Sequence, residues 1–249
     1  MRRLGRLAVV LLMGLLGYGL GVAQPYVFRP PLVAGQDAIT DAASRAAVVS
    51  VDDVGGRVLS IRPTGPARVL LVLYPGGFVR PQAYEWLGRA LASRGVHTVI
   101  PEFPADLAVV DAGRAAALIA RYAEGRPVVV GGHSLGGAMA AGYAADHPGD
   151  VAGLVLLASY PAQDKPVTGV SFTALSLLAE HDGVADPDAV RGGLERLPPG
   201  SRLVVVPGAV HSFFGRYGPQ AGDGRPTVSR AEAEAVVVAA VGGYLDAIR

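Results

Sequence analysis

Apolar residues recur along most of the chain in two rhythms: short continuous runs rich in Val and Leu, and longer stretches with apolar residues three and four apart. The runs fall at 47–51 (AVVSV), 57–61 (RVLSI), 68–74 (RVLLVLY), 96–100 (VHTVI), 127–131 (PVVVG), 151–158 (VAGLVLLA), 173–179 (TALSLLA) and 202–206 (RLVVV). Helical spacing marks 81–94, 107–124, 135–146, 186–196 and 229–248. The first two runs read as a hairpin, and from the third onward helices separate most of the strands, as in a parallel sheet. Continuous Val/Leu runs, rather than alternation by twos, belong to strands covered on both faces. The pattern predicts an α/β fold over residues 47–249: a mostly parallel eight-stranded sheet with helices on both faces.

The first 46 residues follow another pattern. Arg2, Arg3 and Arg6 precede 17 uncharged residues, Leu7–Ala23, and small residues stand at Gly21 and Ala23. This reads as a signal peptide or an N-terminal membrane anchor over residues 1–23, with the arginines held on the cytoplasmic side and the remainder translocated. A buried soluble helix fits less well, because glycines such as Gly14, Gly17 and Gly21 weaken it. Residues 24–46, with Pro25, Pro30, Pro31 and an Ala-rich stretch, read as a linker ending in a helical turn. The expected location is extracytoplasmic, with membrane contact through the N-terminal segment if it is not cleaved.

Composition narrows the function. Charged residues make up 17% and hydrophobic ones 51%, which excludes disorder. Twenty-two basic residues against 21 acidic ones are scattered rather than clustered, which argues against nucleic acid as a partner. The absence of cysteine removes disulfides, thiolate nucleophiles and Cys zinc sites.

The chemistry concentrates at Gly131-Gly132-His133-Ser134-Leu135-Gly136-Gly137, between the run PVVV and the helical AMAAGYAADH. A GxSxG on a strand-to-helix turn forces its serine into a strained conformation, which the flanking glycines make sterically possible. The N–H of Leu135 and the positive end of the helix then face the carbonyl under attack. The same residues fit no nucleotide loop: the Lys of a phosphate-binding loop is missing, and His133 stands where GxGxxG needs glycine.

A serine nucleophile needs a base, and five histidines are available. His97 lies within a strand, His147 closes a helix, and His133 is fixed beside the serine. His181 follows the penultimate strand, and His211 follows the last. In the chain order Ser, acid, His, only His211 leaves room for an acid before it. That acid is expected at Asp182 in AEHDG, with Glu180 in reserve and Asp164 further off. The second oxyanion donor is expected at Gly77 N–H in Pro75-Gly76-Gly77-Phe78, with the Gly76 and Phe78 amides as neighbours. No spacing among the histidines suggests a metal site, and no cofactor is expected.

The stretches YPGGF, GGHSLGG, EHDG and GAVHSFFGRYG together resemble the α/β-hydrolase superfamily, over roughly residues 47–249. More narrowly, GGHSLGGAMAAGYAADHP, LVLLASYPA and HSFFGRYGPQAGDG are similar to small bacterial α/β hydrolases, many with an N-terminal membrane segment. The resemblance implies Ser134, Asp182 and His211 as a triad and Gly77 with Leu135 as the oxyanion hole. It departs from many esterases in placing Tyr74 and Pro75 where they carry His-Gly. About 14 residues separate the strands ending near Ala158 and starting near Thr173, too few for a cap domain. An open, shallow site is expected, bounded by Phe78, Tyr160, Pro161, Phe213 and Phe214, with one of the two last Phe in the core. The Gly-rich loop 215–226 fits either a cover or a surface turn. The expected substrate is a small acyl compound, foremost a carboxylic ester. A thioester or amide, or a non-catalytic binding role in the envelope, are the alternatives.

Overall fold

The structure is a computed structural model and describes residues 2–27 and 45–248. The chain divides into two units, Met1–Val33 and Ala34–Arg249. The first holds helix α1 (Arg2–Val27), so residues 24–27, expected in the linker, are helical. Residues 28–44, which make up most of the expected linker, lie outside the described residues. Among the described residues no helix is long and apolar enough to cross a membrane, where a signal peptide or a membrane anchor was expected over residues 1–23.

The second unit carries one eight-stranded sheet: β1 (Ala47–Asp53), β2 (Arg57–Pro63), β3 (Val69–Tyr74), β4 (Val96–Pro101), β5 (Val128–His133), β6 (Gly153–Leu157), β7 (Ala174–Ala179) and β8 (Arg202–Val206). Its order is β1-β2-β4-β3-β5-β6-β7-β8. The hairpin strand β2 pairs antiparallel with both β1 and β4, and all later neighbours are parallel. Every expected strand is present. Five α-helices follow β3, β4, β5, β7 and β8: α2 (Glu85–Ala92), α3 (Ala115–Tyr122), α4 (Leu135–Asp146), α5 (Pro187–Gly192) and α6 (Arg230–Asp246).

The double burial inferred from the Val/Leu runs is what β3 shows. Leu70, Val72 and Tyr74 join a core with Leu118, Tyr122, Ala140 and Ala144 from α3 and α4. The alternate residues Val69, Leu71 and Leu73 point to the other face and are equally buried.

The helix expected over 107–124 is shorter than its periodicity implies. Its first half is a 3₁₀ segment, Ala108–Arg114, broken at Asp111, and α3 starts only at Ala115. The cause is the buried Tyr74 hydroxyl, which donates to the Ala112 carbonyl at 3.0 Å and accepts from the Ala115 N–H at 2.6 Å. Those backbone groups would otherwise serve the helical ladder. Between β6 and β7, residues 158–173 contain no helix or strand, so no cap covers this side of the sheet.

Candidate active site

Ser134 occupies the turn from β5 into α4 with φ 52°, ψ −126°, a left-handed conformation that costs an L-residue of order 1–3 kcal/mol. Its surroundings enforce it. The Ser134 N–H donates to the Leu157 carbonyl at 2.9 Å, and its carbonyl accepts the Ser159 hydroxyl at 2.7 Å. A Cβ on Gly132 would lie 2.5 Å from the Gly136 carbonyl carbon, and one on Gly136 only 2.2 Å from the Pro75 oxygen. Serine before a helix ordinarily bonds its oxygen to a first-turn amide. Here the side chain makes no such cap, and the hydroxyl stays available at the partly exposed turn.

Gly136→Ala is therefore expected to displace the β3 loop or the elbow. The colliding atoms, the Pro75 oxygen and the Tyr74 carbonyl oxygen and carbon, are all backbone, so relief by a side-chain rotation is closed. The expected loss is about 3 kcal/mol or more, read as a lower urea midpoint at unchanged slope.

The loops after β7 and β8 bring Asp182 and His211 together. His211 Nδ1 lies 2.8 Å from Asp182 Oδ2, with the two side chains 1% and 0% exposed. The other Asp182 oxygen accepts the N–H groups of Val184 at 2.9 Å and Ala185 at 2.7 Å. That occupies Oδ1 and directs Oδ2 to the imidazole. The His211 ring lies 4.4 Å from that of His133, the neighbour of Ser134, which places the imidazole beside the elbow. Glu180 is exposed and accepts the Gly208 N–H at 2.7 Å, and Asp164 is exposed on its own loop.

Three amides after β3 were candidates for the second oxyanion donor, and two are engaged. The Gly76 N–H donates to the Tyr84 hydroxyl at 2.9 Å, and the Phe78 N–H to the Asp106 carbonyl at 2.8 Å. Gly77 rests against Leu135, where an added Cβ would come 3.2 Å from that side chain. Its amide donates to no main-chain or side-chain group among the described residues. The Leu135 amide is the first of α4 and has no acceptor within the helix. Strain gathers here as well: Phe78 and Ala158 also have positive φ, 63° and 46°.

His133, fixed beside the serine as expected, is fully buried, and its Nδ1 lies 2.8 Å from the Tyr84 hydroxyl. The Tyr84 hydroxyl thus joins the Gly76 N–H to the His133 ring. Burial, followed by the nearby His211, holds the His133 pKa well below its ordinary value. His97 is structural too: its Nε2 meets the Ser60 hydroxyl at 2.9 Å within the sheet. Burial, then Arg126 and Arg62, push its pKa down to about 4. Both imidazoles stay neutral in the fold while the unfolded chain protonates near pH 6.5, so stability is lost as pH falls below that value. Each contributes up to about 1.4 kcal/mol per pH unit between pH 6.5 and its folded pKa. Urea midpoints at pH 7 and 5 check this, and His97→Gln is expected to flatten the dependence.

Of the expected walls, Phe78 is 44% exposed, while Tyr160 and Phe213 are half-buried under the guanidinium groups of Arg196 and Arg230. Phe214 and Pro161 are buried, which removes them from the rim; Phe214 packs near His133 at 5.8 Å. His147 stacks on Tyr143, and His181 Nδ1 faces the Arg225 carbonyl. Among the described residues no group of His, Asp and Glu side chains is arranged as metal ligands. Sequence reasoning missed Tyr84, which lay inside a helical stretch, Ser159, and Asp223, whose Asp-Gly context signals only a turn.

A model of the Alpha/beta hydrolase family matches residues 70–235, and the chain belongs to this family of hydrolases. Among solved structures, it is similar to a predicted CIB-like hydrolase from Thermoplasma acidophilum, with a TM-score of 0.61 and 19% identity over 81% of this chain and 98% of that one. At that identity the likeness speaks for the fold. No curated protein matches the chain.

Proposed function

We propose that this hydrolase is a serine esterase that cleaves carboxylic esters through an acyl-enzyme. The observation that supports it most is the buried 2.8 Å pair of His211 and Asp182, set beside a serine whose backbone is strained and whose hydroxyl caps nothing. In this reading Ser134 Oγ attacks the carbonyl carbon while His211 Nε2 takes its proton. The oxygen that becomes negative receives the N–H groups of Leu135 and Gly77. Collapse of the adduct breaks the bond to the leaving oxygen, and His211 returns the proton to the departing alcohol. Water then gives a proton to His211 as it attacks the acyl carbon, the acid leaves, and Ser134 recovers its hydrogen. Asp182 stays a carboxylate throughout, holding the Nδ1–H tautomer and stabilising the imidazolium. Phe78, Tyr160 and Phe213 supply the apolar contact for the acyl or alcohol group.

The test compares an ester, a thioester and an amide of one acyl group, each with a chromogenic leaving group. The ester is expected to turn over fastest. Faster thioester or amide turnover would reassign the substrate class, and a folded protein inert toward all three would count against the reading.

We further infer that this unit works outside the cytoplasm, carried there by the N-terminal segment. Arg2, Arg3 and Arg6 ahead of the uncharged run support this orientation. Recovery of the full chain in the cytosol of a host that exports such proteins would contradict it.

A further inference from the structure

We propose that Asp223 is a positioning residue that ties the loop of His211 to the loop of Asp182, so that the Gly-rich segment 215–226 acts as a brace for both. The inference rests on the reading of His211 and Asp182 as base and orienting acid.

Asp223 Oδ1 accepts the N–H of His211 at 3.0 Å, of Gly224 at 2.9 Å and, more weakly, of Gly183 at 3.4 Å. Asp223 Oδ2 accepts the N–H of Ser212 at 2.9 Å. One carboxylate thus collects amides from the base itself, from its successor and from the residue after the acid. His211 and Ser212 are buried, 1% and 5% exposed, so water is a poor substitute for these acceptors. An acceptor without donors suits a cluster of four N–H groups and the Ser212 side chain. Burial works against the charge, but the amide and side chain of Ser212, followed by the amides of Gly224 and His211, outweigh it and hold the Asp223 carboxyl below its ordinary range.

The backbone follows the same joint. A Cβ on Gly224 would lie 1.8 Å from the His181 carbonyl oxygen, so segment 222–224 lies directly against the acid loop. On the far side, Arg230 Nη1 donates to the Ser212 carbonyl at 3.0 Å and Nη2 to that of Tyr217 at 3.1 Å. The base loop is held by its amides from Asp223 and by its carbonyls from Arg230. The segment is tied down rather than poised as a cover.

The test uses the full chain with Asp223→Ala and the near-isosteric Asp223→Asn, which turns one acceptor into a donor facing N–H groups. Two readouts separate bracing from bulk stability: the far-downfield NMR signal of the His211 Nδ1 proton, and the division of any activity loss between kcat and KM. Both variants are expected to lose that signal to solvent exchange and to lower kcat by about 100-fold, with KM little changed. Formate added to Asp223→Ala is expected to restore part of kcat. If Asp223→Ala fails to fold, Asp223→Asn decides. A folded Asp223→Asn with wild-type kcat and an unchanged signal overturns the proposal. A wild type that shows the signal yet hydrolyses nothing contradicts the esterase reading instead, and the dependence of the signal on Asp223 still tests the brace.

Discussion

Ser134→Ala is expected to lower kcat for ester hydrolysis by about 10,000-fold or more, with residual turnover from the oxyanion donors and binding alone. The variant should fold. Its Cβ occupies the same strained position as that of serine, the backbone bonds to Leu157 and Ser159 remain, and no helix cap is lost because the hydroxyl makes none. An unfolding midpoint close to that of the wild type, combined with a vanished acyl-enzyme burst, would assign the loss to chemistry. A loss below tenfold would move the nucleophile elsewhere.

Asp182→Asn is expected to cost about as much, near 10,000-fold, because it leaves the imidazole in the wrong tautomer. The local geometry explains why. The N–H groups of Val184 and Ala185 both point at Oδ1, which obliges the asparagine to keep its carbonyl oxygen there. Its NH2 must then replace Oδ2 and donate to His211 Nδ1. That places the imidazole proton on Nε2, the atom that has to accept the serine proton. Substrate binding is not involved, so kcat should fall with KM nearly unchanged. A small effect would reduce Asp182 to the turn residue that an Asp-Gly pair ordinarily marks.

The sheet was the most legible feature of the chain. The strands β3 and β5 fall on their apolar runs because burial on both faces leaves such runs unbroken, and the helix at 135–146 agrees with its pattern because α4 lies over the sheet. The helix over 107–124 misled because periodicity registers side chains but not a hydroxyl arriving from Tyr74, 38 residues earlier in the chain, to take the Ala112 carbonyl. The elbow was legible for a similar reason to the strands: GxSxG reports a backbone constraint, and Gly132 and Gly136 meet main-chain atoms. Chain order picked His211, and the place of Asp182 after the penultimate strand, before Gly183, set it ahead of Glu180; their pairing depends on adjacent loops after β7 and β8.

What remained illegible is the support around them. Asp223 acts on the main chain of two loops, and Tyr84 reaches the Gly76 amide through space, so neither leaves a periodic or spacing signal. Choosing among Gly76, Gly77 and Phe78 likewise required knowing which amides were already engaged. The rim needed packing too: Phe213 and Phe214 are neighbours in sequence, yet only the second is in the core.

The most direct test of the central claim is the site of covalent modification by a fluorophosphonate, mapped by peptide mass spectrometry on the folded full chain. The account predicts one stoichiometric adduct on Ser134, absent from Ser134→Ala and formed far more slowly in His211→Ala. A folded protein left unmodified, or an adduct on another residue, would contradict it.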